Sequence, residues 1–129
     1  MTTIHIKTNI GRLSAYCGAI CASAGIAGAI SFVDGLSLAQ IKHAIETTLG
    51  TLSGVICDGA KSSCATKIAS GISAAFDGYY AASKNRKLEF GEGIIGKDVE
   101  ATIKHVGILG QEGMKITDEV ILDIMVKNI

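Results

Sequence analysis

LSAYCGAICASAGIAGAISFV, residues 13–33, runs for twenty-one residues without a charge, and its reading decides the fold. Its length matches a bilayer span. Its content does not, because Ala, Gly, Ser and Cys gain far less from lipid than Leu, Ile and Phe do. Gly18, Ala24, Gly25 and Gly28 would instead let a second helix come close. The stretch therefore reads as a buried central helix over residues 12–33, stopped by the turn pair Asp34-Gly35.

Working outward, Ser37 is placed to cap a second helix whose Leu38, Ile41, Ile45, Leu49 and Leu52 recur every three or four residues. Lys42, His43 and Glu46 then fall on its wet side. Periodicity weakens at Gly54, and Cys57-Asp58-Gly59 is a turn signature. A third helix starts near Ser62 or Ser63, with Ala65, Ile68, Ala69, Ile72 and Phe76 as its apolar face and Lys84-Asn85-Arg86-Lys87 as a basic final turn. Asp98 leads into a fourth helix that buries Val99, Ile103 and Val106, and Gly107, Gly110 and Gly113 weaken its end. Thr117 or Asp118 caps a last helix carrying Val120, Ile121, Ile124 and Met125. Thr2 to Ile6 alternates like a short strand, and equally fits the tail of a helix begun upstream. The expected fold is all-α, a compact bundle of about four to six helices around a small-residue-rich central one.

At 129 residues the chain is long enough for one domain with a real core. Twelve basic residues balance twelve acidic ones, so no electrostatic footprint for nucleic acid or an anionic membrane is present. The first residues lack the apolar core and cleavage site of a secretory signal. A cytoplasmic location follows as the expectation.

Chemistry is sought first at the cysteines. Thiols in a reducing compartment seldom form disulfides, and soft ligands in such a chain point to a metal or an iron–sulfur cluster. Cys57 stands where a helix gives way to a turn, and Cys64 stands at the start of the next helix, where free N–H groups and the helix dipole favour a thiolate. Packing of the first helix would bring Cys17 alongside. The alternative for each is an ordinary small apolar core residue, and Cys21, four residues after Cys17 in an Ala-rich stretch, reads as that. Asp58 would orient a ligand or act as a base, or simply cap the helix that follows. His5, His43 and His105 read as structural or solvated. Gly91-Glu92-Gly93-Ile94-Ile95-Gly96 has the spacing of a dinucleotide loop, but the segments after it read as helix where a βαβ unit is needed.

Several of these stretches together resemble a known family. They are Ile6-Lys7, Ile10 to Gly18 (IGRLSAYCG), Val55 to Ala65 (VICDGAKSSCA), Gly93-Ile94-Ile95 and Thr117-Asp118. Nearly end to end, the chain resembles the C-terminal part of the bacterial L-cysteine desulfidase and UPF0597 group, within the L-serine dehydratase alpha-chain superfamily. The Cys57-Asp58-Gly59-Ala60-Lys61 element is its most specific part. The resemblance implies an oxygen-sensitive 4Fe–4S enzyme, independent of pyridoxal phosphate, that eliminates a β-substituent from L-cysteine or L-serine. Three thiolates would hold three irons and leave the fourth to bind substrate as a Lewis acid. Cys17 and Cys57 correspond to ligand positions, and Cys64 matches a third. It also implies that residues 1–129 form a single cluster-binding domain whose N-terminal half, with most substrate-holding segments, lies elsewhere. The start of the chain looks cut. Expected partners are a small L-amino acid and that N-terminal half, with a homo-oligomer possible and no nucleic acid or membrane. The competing reading is a non-catalytic helical interaction domain with ordinary core cysteines, its Gly- and Ala-lined helix face acting as the docking surface.

Overall fold

A computed structural model describes residues 2–10 and 14–127. Among them the regular structure is helical: α1 (Thr2–Ile10), α2 (Gly18–Val33), α3 (Leu38–Thr51), α4 (Cys64–Ser83), α5 (Val99–Ile108), a π turn (Leu109–Gly113) and α6 (Met114–Lys127). This is the all-α bundle expected, with α2 packed against α1, α3 and α4. Gly11, Arg12 and Leu13, the first helical turn of the sequence reading, lie outside the described residues.

Close approach holds α2, α3 and α4 together. At Gly78 of α4 an added Cβ would lie 2.7 Å from the Ala44 carbonyl oxygen and 2.6 Å from Thr48 Oγ1. A Cβ at Gly71 would collide with the Ser23 hydroxyl of α2. The three helices therefore pack nearly backbone to backbone, and the hydroxyls caught in the seam are satisfied locally. Ser23 donates to the Ala19 carbonyl at 2.7 Å and Thr48 to that of Ala44 at 2.8 Å. Ser37 begins α3 with a complete capping box, its Oγ accepting from the Gln40 amide while the Gln40 side chain accepts from the Ser37 amide. Asp98 caps α5 by accepting from Ala101 N at 2.8 Å, and Val99, Ile103 and Val106 are buried as their spacing required.

Several expectations need correction, and one that stood open, strand or helix at Thr2 to Ile6, is decided. Residues 14–17 are extended rather than helical: Cys17 has ψ 128° and caps α2, while Tyr16 forms an antiparallel bridge with Ile56. Thr2 to Ile6 is helix, since Ile6 and Ile10 sit on one side of α1 and are both buried. Glu46 is buried because α5 packs over it and Thr102 hydrogen-bonds to it. The last helix needs no cap at Thr117 or Asp118, because the chain passes from α5 through the π turn directly into Met114. Most consequentially, α4 is turned about its axis relative to the expected phase. Its buried face is Gly71, Ala74, Ala75, Gly78 and Ala82, while Ile68, Ile72 and Phe76 are exposed by 53%, 38% and 41%. Small residues won the interior because only they allow the seam described above.

No helix is long and apolar enough to cross a membrane among the described residues. The Gly91–Gly96 loop is a series of turns with Gly91 and Gly93 at φ +90° and +59°, and neither a strand before it nor a helix directly after it supplies the dinucleotide setting.

Candidate functional site

The site forms where the chain entering α2 meets the chain leaving α3. Two backbone hydrogen bonds flank the Tyr16–Ile56 bridge, one from Cys57 N to the Ala15 carbonyl at 2.5 Å and one from Cys17 N to the Val55 carbonyl at 3.4 Å. Side chains alternate across such a pair, so Cys17 and Cys57 project to the side opposite Tyr16. They stand as diagonal neighbours, with backbones on the order of 7–8 Å apart. Both pack against the main hydrophobic cluster, Cys17 buried and Cys57 half-buried. The entering strand is pinned a second time by Ser14, whose hydroxyl donates to the Gly110 carbonyl at 2.7 Å and accepts from Tyr16 N at 3.1 Å.

Beyond Cys57 the chain reverses at Asp58-Gly59. Gly59 has φ +93°, a conformation side chains rarely adopt, and a Cβ there would also meet the Met125 methyl of α6 at 3.5 Å. Cys64 opens α4, and its thiol donates to the Gly59 carbonyl at 3.7 Å. Neither Asp58 nor Ser63 caps α4 with its side chain. Asp58 instead accepts from Lys61 and from Lys67, the latter at 2.6 Å. These two ammonium groups, Lys61 first, hold its carboxyl far below the ordinary carboxylate range. Lys67 also donates to the Ile56 carbonyl at 2.8 Å. Its own ionisation is pushed up, first by the Asp58 hydrogen bond and further by the nearness of Cys17 and Cys64. Lys67 is thus the centre that ties bridge, turn and α4 together.

Cys17 and Cys64 therefore both lie within electrostatic range of one lysine, and Cys57 is attached to the same bridge and turn. The three sulfurs do not form a closed ligand triad: among the described residues no three His, Cys, Asp or Glu groups stand close enough to hold a metal ion. The donor set fits an iron–sulfur cluster in chemistry, while the first amides of α4 are already taken: Cys64 N donates to the Lys61 carbonyl at 2.9 Å, Ala65 N to that of Ser62 and Lys67 N to that of Ser63. Cys21, one turn into α2, is fully buried and its thiol ionisation is pushed up by that burial. It is a core residue, as read. Burial likewise pushes up the ionisation of Tyr16, whose hydroxyl finds no partner.

The histidines lie apart from these thiols. His5 Nε2 is 2.8 Å from Glu100, His105 Nδ1 is 2.9 Å from the Ile94 carbonyl, and His43 lines a cavity with Glu46. Sequence reasoning missed Lys67. The signal available was a lysine three residues after Cys64, on the first turn of the helix that the cysteine opens.

Comparison with known proteins adds the following. The serine dehydratase alpha chain family matches residues 1–123. A UPF0597 protein of Fusobacterium nucleatum is 58% identical over 127 residues, covering 98% of this chain and 30% of that protein. UPF0597 proteins of Treponema denticola and Desulfitobacterium hafniense are 47% and 44% identical, the chain again covering 30% and 29% of their lengths. This chain thus spans less than a third of the curated relatives it matches. No solved structure matches it.

Proposed function

The chain belongs to the serine dehydratase alpha chain family, and on that premise we propose that it is the cluster-binding part of a lyase that eliminates sulfide from L-cysteine or water from L-serine. The observation that carries the reading is the bridge that sets Cys17 and Cys57 on one side of two hydrogen-bonded segments, with Cys64 and Lys67 on the adjoining turn of α4. Cys17, Cys57 and Cys64 would hold a 4Fe–4S cluster, which when bound supplies a Lewis-acid position for the substrate.

The residues of the chain have separate tasks in this reading. Cys17 is fixed by backbone bonds on both of its neighbours' sides, so it supplies the rigid ligand. Cys57 and Cys64, half-buried on a glycine turn, supply adjustable ones. Asp58 serves as a positioning residue, since a carboxylate neutralised by two lysines is a poor proton acceptor at neutral pH. Lys67 compensates the negative charge of the thiolates and keeps the turn shut. Proton removal from the substrate is assigned to residues of the remaining length of the full protein.

Anaerobic reconstitution with iron and sulfide tests the proposal. Wild type is expected to gain visible charge-transfer absorbance with stoichiometric iron, and Cys57→Ala to lose most of both. Equal iron uptake by the two, or none by either, removes the cluster assignment. Full pyruvate production by the reconstituted chain alone would show that the remaining length of its relatives is dispensable.

A further inference from the structure

α4 is apolar on two faces, and the chain covers only one of them. Its Gly and Ala stripe is sealed against α2 and α3. Its other face carries Ile68, Ile72, Phe76 and Tyr80, and Tyr80 is 59% exposed. Phe76 and Tyr80 continue into a groove of about 490 Å³ walled by Ile30, Val33 and Tyr79, where Tyr79 donates to Asp34 at 2.7 Å. A helix with a second, uncovered apolar face offers that face to a partner. α6 repeats the pattern: among the described elements it packs on the π turn, with Met114 buried and Ile121 half-buried against the main hydrophobic cluster, while Ile116, Val120, Leu122, Ile124 and Val126 are all exposed. The two uncovered helices approach one another, since the Met125 methyl near the end of α6 stands 3.5 Å from where a Cβ on Gly59 would lie, and Cys64 begins α4 against that same turn.

We propose that the outward faces of α4 and α6 are one seat for the part of the full-length protein that this chain does not span, and that its docking closes over Cys57 and Cys64. The occupant follows from length and placement. The chain accounts for 30% of its relatives, so about 70% of such a protein, by subtraction, must pack somewhere. Contiguous apolar surface of this extent marks an interaction site. A self-complementary dimer would need only one patch, whereas here two helices separated in the chain by α5 both leave apolar faces exposed around the half-buried thiols. Cys64 and Ile68 are one turn apart on the same side of α4, so a body seated on Ile68 and Ile72 overhangs the Cys64 thiol. The docking claim stands whether or not iron is bound.

The test compares the 129-residue chain with a chimera in which it replaces the matched segment of the Fusobacterium nucleatum protein, both in chelator-treated, metal-free buffer. Maleimide labelling of Cys57 and Cys64, located by mass spectrometry, is expected to be slower in the chimera by about tenfold or more. Ile72→Glu with Phe76→Glu should restore fast labelling in the chimera while leaving the helical circular dichroism of the isolated chain unchanged. Equal labelling in chain and chimera would overturn the proposal. So would sedimentation showing a dimer of the isolated chain that Phe76→Glu dissociates, because the face would then belong to a second copy. Should the chimera misfold, the same remainder co-expressed as a separate polypeptide must co-purify with the chain and lose it on Phe76→Glu; soluble remainder that never co-purifies overturns the claim equally. Because no metal enters these measurements, their failure is distinct from failure of the cluster assignment.

Discussion

α2 and α6 are helices of similar length, 16 and 14 residues, yet one is largely enclosed and the other mostly exposed. α2 carries Ala, Gly, Ser and Cys toward its neighbours, with seven of its residues buried. α6 carries Ile, Val, Leu and Met and buries Met114 alone. α2 carries no charge, while α6 carries Lys115, Asp118, Glu119, Asp123 and Lys127 and must keep one side in water; its large apolar side chains would still gain more per residue from leaving water. Size decides which helices interlock. Small residues let α2, α3 and α4 interlock within the chain, while branched ones at α6 and on the outer side of α4 are surface that the chain cannot itself cover.

Amide exchange gives the sharpest way to break this contrast. Protected amides of α2 and α4 should exchange about a thousandfold more slowly than those of α6, which opens without disturbing the seam. Comparable protection in both would show that α6 is held by something other than the π turn. Next in size, Gly78→Val drives methyls into the Ala44 carbonyl and the Thr48 hydroxyl. It should cost about 3 kcal/mol in urea unfolding, with complete loss of folding as the stronger version of the same result.

Glu46→Gln addresses the contact of α3 with α5 instead. Burial is the main cause that pushes the Glu46 carboxyl up, against the weaker pull of His43 and the Thr102 hydrogen bond. A raised acid favours folding when protonated and costs stability once pH exceeds its unfolded ionisation range, with the full cost reached above the folded one. The variant should therefore be more stable than wild type at pH 7, by under about 1 kcal/mol, and the difference should vanish as pH falls below the ordinary carboxylate range. A midpoint difference independent of pH would assign the effect to packing. Smallest of all, Phe76→Ser on the outer side of α4 should move the stability of the isolated chain by less than about 0.5 kcal/mol. Set against Gly78→Val two residues away, it measures the two faces of one helix directly.

Local chemistry was legible in the sequence where a short motif carries its own geometry. Ser37 as the cap of α3, Asp98 before Val99, and the Cys57-Asp58-Gly59 reversal all appear as read. The phase of α4 was not, because periodicity marks where large apolar residues recur and cannot say which partner they await. The first turn of the expected central helix gave way to the Tyr16–Ile56 bridge, a pairing between residues forty positions apart that no local pattern announces. Lys67 escaped for a related reason. Its partners Asp58 and the Ile56 carbonyl are reached only after the turn at Gly59 has folded the chain back. Cys17, Cys57 and Cys64 stood out as soft ligands before any resemblance matched them to ligand positions, and among the described residues their sulfurs are not joined in one site.

The π turn at Leu109–Gly113 holds one residue more than an α-helical turn would close around. An extra residue works as a phase adjuster, swinging everything beyond it by about 100° while leaving the rod nearly collinear. Deleting Gln111 would let α5 and α6 fuse into a single straight helix and would carry Met125 off the glycine it now touches. The orientation of α6 relative to the thiols is thus set by a counting error built into the helix, and shortening the chain by one residue there should uncouple the two without removing a single side chain from either.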